Sequence, residues 1–391
     1  MKALVFERNV ARYAAAAVAG RLAPGRGAAH GPLALRDIDP PDLPGTEWAR
    51  VRPRLAGICG SDLATLDATS SRYFEPIVSF PFTPGHEVVG DLDDGRRVVV
   101  VPILTCAVRG IVPPCGQCGA GRENRCERVA FGGLEPGLQS GFCCATGGGW
   151  STAMVAHPAQ LRAVPDAMSD DEAVLVEPAA CAVHAARRAT GPTDGPGPAE
   201  RVAVIGAGTL GLLTVAALAR LGRHELVVVT AKHPHQRRLA GQLGADHVVS
   251  PDELARTVRS LTGSLRAGAQ LTGGIETVID CVGSDASLAQ ALEVVAPGGT
   301  VEVVGMPARR TLDLTSLWHR EVTLRGCYAY DDRDFDDAFD LVREARLGRL
   351  VSATYPLSRY RDAIAHAAHA GGRGAVKIAF DLRAEKERRL P

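Results

Sequence analysis

The sequence has no excess of charge of either sign, no long apolar run and no leader-like start. Lysine plus arginine and aspartate plus glutamate both number 44 in 391 residues, so the formal net charge is zero. Proteins that bind nucleic acid by neutralising phosphates carry a basic excess. The balance here argues against a nucleic-acid partner and equally against a membrane-surface role. No apolar stretch approaches the roughly 18 residues of a membrane span, and the alanine-rich AAAAVAG at 14–20 is far too short. The opening MKALVFERNV lacks the basic segment followed by an apolar one that marks a secretory leader. The expected compartment is therefore the cytoplasm. Thiols stay reduced there, so the ten cysteines read as metal ligands, reactive groups or small core residues, not as disulfides.

Length and rhythm divide the chain. At 391 residues it holds two to three domains' worth of sequence, with no internal repeat. The stretch to about residue 180 is rich in Gly, Pro and short apolar runs such as RVVVVPIL, and reads as strands and loops. A linker-like TGPTDGPGPAE follows at 190–200. Then strands and helices alternate. RVAVIGAG, ELVVVTA, IETVIDCVG and GTVEVVG are strands; TLGLLTVAALARLG, HQRRLAGQLGA and ASLAQALEVVA are helices. That alternation predicts an α/β fold with a doubly wound parallel sheet. A helix in DFDDAFDLVREARLG, a last strand in AVKIAFDL and a solvated charged tail, EKERRL, complete the chain.

VAVIGAGTLG places Gly206, Gly208 and Gly211 at G-x-G-x-x-G spacing between a strand and a helix. The first glycine permits the turn, the second admits a pyrophosphate, and the third packs helix on strand. The N–H groups that open the helix, at Thr209 and Leu210, would face the phosphates. The alternative is a packing turn without ligand. Cys281, Val282 and Gly305 stand at other strand ends, where a dinucleotide would touch. An acid ending the second strand would bind the ribose 2′-hydroxyl of NAD, but Thr230-Ala231-Lys232-His233 stands there, and Glu225 is at the wrong end. Lys232, His233 and Arg237 would attract a 2′-phosphate, so NADP is favoured over NAD. The other reading is a solvated basic face.

Three short stretches carry metal-binding side chains. GICGSD supplies Cys59, Ser61 and Asp62; PGHE supplies His86 and Glu87; VEP supplies Glu177. A thiolate, an imidazole and a carboxylate from separate segments suit a zinc site with one open position. Zinc there could polarise an alcohol oxygen. Each residue alone also fits a plain structural role. A further run, CAVRGIVPPCGQCGAGRENRC, holds Cys115, Cys118 and Cys126 at metal-ligand spacing, with Cys106 upstream.

The order GICGSD, PGHE, a four-cysteine lobe, EP, GAGTLG and PGGTVEVVG resembles the zinc-dependent medium-chain dehydrogenase/reductase superfamily over nearly the whole chain. The resemblance implies a mostly-β GroES-like catalytic domain over 1–182, a Rossmann NAD(P)-binding domain over 183–325, and a segment, 326–391, returning to the first. It implies catalytic zinc on Cys59, His86 and a carboxylate. Glu177 matches the third-ligand position, as in polyol, glucose and threonine dehydrogenase branches. Glu87 matches an acid that ligates in some members and stands behind the ligands in others. Ser61 matches the hydroxyl that bonds the substrate oxygen and begins proton release. Many members carry a histidine three residues later; Ala64 stands here, followed by Thr65. The lobe would be a closed, non-catalytic zinc site with AVRGIVPP inserted between Cys106 and Cys115. A three-cysteine site, an empty one, or substitution by Cys143 or Cys144 remains open. Cys181 and Cys327 read as core.

The implied activity is hydride transfer between a small-molecule alcohol, polyol, sugar or amino alcohol and a nicotinamide, or the reverse carbonyl reduction, in a homodimer or homotetramer. A carbonyl reductase of a specialised biosynthetic pathway and a redox-inactive nucleotide-binding relative are the alternatives.

Overall fold

Continuous apolar strands and alternating ones build two different sheets. The computed structural model describes residues 1–191, 200–268, 270–306 and 308–384. Pro178–Ala345 form one compact unit; Met1–Glu177 and the residues from Arg346 onward form the other. The linker-like residues 192–199 and the charged tail 385–391 lie outside the described residues. No helix among the described residues is long and apolar enough to cross a membrane.

The unit Pro178–Ala345 carries six parallel strands in the order His247–Val249, His224–Thr230, Glu200–Ile205, Ile275–Asp280, Val295–Val303, Thr323–Gly326. The strand order reverses between Glu200–Ile205 and Ile275–Asp280, where doubly wound sheets bind ligands. Val202, Ala203, Val204, Val227, Val228, Val229, Val278 and Ile279 have no exposed surface. Burial on both faces explains why these strands read as unbroken apolar runs. The strands His247–Val249 and Thr323–Gly326 at the two edges were not legible, being short and partly exposed.

Helix Asp332–Glu344 buries Phe335, Ala338, Leu341 and Val342 along one stripe. Asp334, in its first turn, bonds His184 Nδ1 (2.6 Å) and accepts from Arg187 Nη1 (2.5 Å). These bonds tie it to helix Val176–Thr190. The divisions expected at 182 and 325 accordingly lie at 177 and 345.

In the other unit, strand Ala49–Gly57 is central. It pairs antiparallel with Lys377–Asp381, Val88–Leu92 and Met154–Ala156. Arg97–Val100 and Leu161–Ala163 extend one side of the sheet, and Val351–Tyr355 the other. Its core holds Leu4, Phe6, Leu33, Leu66, Phe82, Trp150, Ile378 and Phe380. Trp150 is fully buried against Phe380.

One element departs from the strand-and-loop expectation. Between the paired strands Lys2–Phe6 and Leu33–Asp37 runs a 13-residue helix, Val10–Leu22. Its alanines favour helix, and Asn9 caps it by accepting from Arg12 N (3.0 Å). Buried Asp67 ties down the turn after it, accepting from Gly25 N (2.7 Å) and Gly27 N (2.8 Å). A Cβ on Gly27 would stand 2.0 Å from Leu66 O, so this turn needs glycine. Replacing Asp67 strands two buried donors. We expect Asp67→Ala to cost about 2–3 kcal/mol, read as a lower denaturant midpoint with new protease cleavage between residues 10 and 30.

Candidate active site and metal centres

The first metal centre forms where the central strand ends. Gly57 N donates to Glu87 O (2.9 Å), which sets His86 and Glu87 beside the strand end. Trp150 Nε1 donates to Gly57 O (3.1 Å), which gives the tryptophan a core role. Cys59 is the N-cap of helix Gly60–Leu66, and Asp62 closes the cap by accepting from Cys59 N (2.9 Å). The other Asp62 oxygen stands 3.5 Å from His86 Nδ1. Lys377 enters from the neighbouring strand, donates to Ile58 O (3.2 Å) and forms an ion pair with Glu87.

Space here is tight. A Cβ on Gly57 would lie 1.8 Å from Glu87 Oε2 and 2.8 Å from Lys377 Cε. The backbone of Gly57 takes no left-handed angle; glycine is required for room alone.

Ligand atoms of Cys59, His86 and Glu87 lie within 4.8 Å of one another. Asp62, His86, Glu87 and Lys377 are all 5% exposed or less. Asp62 Oδ1 and His86 Nδ1 are buried and make no hydrogen bond of good geometry, whereas Glu87 Oε2 meets the Lys377 ammonium. Burial opposes a charge on His86, yet the facing Asp62 and Cys59 hold its pKa well above the ordinary value. Lys377 behaves alike: burial lowers its pKa, and Glu87, Cys59 and Asp62 outweigh that and raise it. Such a pocket favours cations. Its thiol, imidazole and carboxylate donors fit zinc, and Asp62, 3.5 Å from His86 Nδ1, is a carboxylate of the kind that stands behind metal-binding histidines.

Glu177 is buried in the first turn of helix Val176–Thr190 but is not in that close group. Ser61 lies in the first turn of helix Gly60–Leu66. Thr65 Oγ1 donates to Ser61 O (2.9 Å) and meets Ser70 Oγ at 3.2 Å. Tyr73 is 78% exposed on the loop before His86, whereas Phe142 packs 6.1 Å from the His86 ring.

The structure brings all four lobe cysteines together. The sulfurs of Cys106, Cys115, Cys118 and Cys126 lie within 4.8 Å of one another, and all ten cysteines are free. Backbone N–H groups converge on them: Cys115 N on Cys106, Cys118 N and Glu127 N on Cys115, Arg128 N on Cys126, at 3.3–3.5 Å. Burial raises the Cys115 pKa, but these donors bring it down to about 6. Cys118 and Cys126 are pushed up, first by burial. A cage of this kind suits a closed metal site. Cys143 is instead fully buried in another cluster, with Trp48 and Leu104.

In the parallel-sheet unit each glycine of the turn has its own reason. Gly206 has φ +95°, and its N–H donates to Thr230 Oγ1 (2.9 Å). A Cβ on Gly211 would sit 1.8 Å from Gly206 O, so helix Thr209–Leu221 packs only on glycine. A Cβ on Gly208 would meet nothing within 4 Å; its smallness serves access, as a pyrophosphate needs. Opposite, Asp280 ends its strand fully buried. It accepts from Val282 N (2.9 Å), Gly283 N (3.1 Å) and Ser287 Oγ (2.9 Å), fixing the loop that bears Cys281 and Val282. Gly305 packs on that loop, where a Cβ would stand 2.5 Å from Val282 C. Burial pushes the Cys281 thiol up to about 12. Lys232 and Arg237 are exposed, His233 half-buried, and Arg237 Nε donates to Ala231 O (3.1 Å).

Gly57, Lys377 and Asp280 were not singled out from sequence. The signals existed: lone charges in the apolar runs AVKIAF and TVIDCV. Asp62 was noted without a role, although its position three residues after Cys59 is a capping spacing.

Comparison with known proteins agrees with this geometry. The zinc-binding dehydrogenase family model matches residues 209–344, and the alcohol dehydrogenase GroES-like domain matches 45–166. Sorbitol dehydrogenase of Macaca fascicularis is 30% identical over 77% of this chain and 80% of its own. L-idonate 5-dehydrogenase of Vitis vinifera is 27% identical over 90% and 91%. A zinc-binding dehydrogenase structure from Sinorhizobium meliloti, bound to NADP, is 25% identical with TM-score 0.70, covering 97% of this chain and 98% of that one. The chain therefore belongs to the zinc-dependent medium-chain dehydrogenase superfamily, oxidoreductases that act on CH–OH groups.

Proposed function

We propose that this enzyme oxidises a polyol, sugar or amino alcohol, or reduces the matching carbonyl, with NADP as the preferred cofactor. The observation that carries the reading is the close Cys59–His86–Glu87 group, with its imidazole and carboxylate buried. The polyol and sugar-acid names of the relatives support the substrate class.

Cys59, His86 and Glu177 would hold the catalytic zinc, with Glu87 kept close by Lys377. When bound, zinc supplies a Lewis acid for the substrate oxygen and the nicotinamide supplies the hydride acceptor. Asp62, 3.5 Å from His86 Nδ1, would orient that ring so that Nε2 serves the metal. The Ser61 hydroxyl accepts the substrate's hydroxyl proton. Ala64 offers no onward group and Thr65 is turned to the Ser61 carbonyl, so the proton passes to water. Thr209 and Leu210 present N–H groups to the pyrophosphate at Gly206, Gly208 and Gly211. Lys232, His233 and Arg237 bind the 2′-phosphate at a strand end that carries no acid. Cys106, Cys115, Cys118 and Cys126 would hold a structural zinc. The cytoplasm is the proposed compartment, and a homodimer or homotetramer the proposed assembly. The edge strand Thr323–Gly326, with Leu324 38% exposed and Trp318 on the preceding helix Thr315–His319 78% exposed, supports that contact.

Initial rates at the nicotinamide absorbance band test the reading across alcohols, polyols, sugars and amino alcohols, each with NADP and NAD. We expect turnover that a chelator and Cys59→Ala abolish; turnover insensitive to both would overturn the zinc assignment. Lys232→Ala should lower the NADP-to-NAD ratio of kcat/KM about tenfold, or ~1.4 kcal/mol; a wild-type preference for NAD contradicts the cofactor choice. Gly57→Ala should displace Glu87 and cut activity about 10–100-fold, with a folded protein by circular dichroism.

A further inference from the structure

Val282 is left 48% exposed just after a strand whose Val278, Ile279 and Asp280 have no exposed surface. It stands against the glycine turn: a Cβ on Gly206 would lie 2.5 Å from Val282 Cγ2. Its backbone is fastened. Val282 N and Gly283 N both donate to Asp280 Oδ1 (2.9 and 3.1 Å). Val304 N and Gly305 N donate to the Asp280 carbonyl (3.0 and 2.9 Å). The second carboxylate oxygen accepts from Ser287 Oγ (2.9 Å), which accepts in turn from Ser284 N (2.9 Å) at the cap of helix Asp285–Val294. Arg310 Nε donates to Gly283 O (2.9 Å). One buried carboxylate therefore fixes where an exposed valine meets the glycine turn.

The place of Val282 in the sheet says which part of a dinucleotide it would meet. Glu200–Ile205 and Ile275–Asp280 flank the point where the strand order reverses, and a dinucleotide crosses such a point with one half on each side. On one side, Lys232, His233 and Arg237 follow strand His224–Thr230; they are the proposed seat of the 2′-phosphate, and so of the adenosine half. The nicotinamide half then falls on the other side, past the end of Ile275–Asp280, where Val282 is. Covering the valine there takes apolar surface out of water. On the reading that the glycine turn binds the dinucleotide, we infer that Val282 is an apolar wall for the nicotinamide half. Asp280, fully buried and out of a ligand's reach, is its positioning residue. Without that carboxylate the Val282 and Gly283 N–H groups lose their acceptor, and the loop turns to find another.

The readout is binding, not turnover. Fluorescence titration follows NADPH or NADH, whichever the wild type holds tighter, and calorimetry follows ADP, which lacks the nicotinamide half. Asp280→Ala should weaken the reduced cofactor about tenfold and ADP by less than about twofold. Asp280→Asn keeps Oδ1 as acceptor, and Ser287 can turn its proton to Ser284 O (3.0 Å); its affinity should stay within about threefold of wild type. Val282→Ala should cost about threefold. Asp280→Ala combined with Val282→Ala should bind no more weakly than Asp280→Ala alone, as when one residue acts through the other. Wild-type affinity in Asp280→Ala, equal losses for ADP and the reduced cofactor, or additive losses in the double variant overturn the proposal. A wild-type chain that binds neither NADPH nor NADH overturns the dinucleotide reading, and the proposal with it. Should Asp280→Ala not fold, Val282→Ala decides: a loss confined to the reduced cofactor supports the wall, and unchanged affinity overturns it.

Discussion

The structure turns on two carboxylates, an imidazole and a lysine buried together at the end of the central strand. Asp62 and Glu87 face His86 and Lys377, all 5% exposed or less, with the half-buried Cys59 beside them. Burying carboxylates is costly unless they are paired. Lys377 pairs one oxygen of Glu87, and the pKa of His86 is drawn upward by its acidic neighbours. Thiol, imidazole and carboxylate donors gathered this closely suit a divalent cation, and the surrounding packing holds them in place. The C-terminal strand must return beside Ala49–Gly57 to bring in Lys377. Gly57 must lack a side chain so that Glu87 can lie against it. Trp150 holds the Gly57 carbonyl from the core side.

The two proposed metal centres use contrasting physics. The first buries its polar atoms and leaves Asp62 Oδ1 and His86 Nδ1 without a well-formed hydrogen bond, which suits a site whose ligand set stays open to substrate. The lobe satisfies its sulfurs with backbone N–H groups and closes on itself. Within the same lobe, buried Arg109 gathers the carbonyls of Leu104, Phe131, Leu134, Glu135 and Gly137. The dinucleotide turn follows a third logic, in which Gly211 is small for packing and Gly208 for access.

Much of this was legible, because the chemistry resides in short contiguous stretches. GICGSD, PGHE and GAGTLG each place their residues by local backbone rules, and the apolar runs of the parallel sheet follow from burial on both faces. Cys106 was placed in the lobe across its insertion by its lead-in alone, and its sulfur does join the other three. Lys377 was hidden because its partner is nearly three hundred residues away in sequence. Helix Val10–Leu22 was passed over because its alanines carry little hydrophobic contrast, so no period stands out. Whether Glu177 completes the ligand set depends on a helix start, which spacing from Cys59 and His86 does not encode.

Anomalous diffraction at the zinc edge tests the central claim most directly. The account predicts two peaks per chain, one touching Cys59 and His86 and one enclosed by Cys106, Cys115, Cys118 and Cys126. A zinc-replete crystal with no peak at Cys59 and His86 would contradict it.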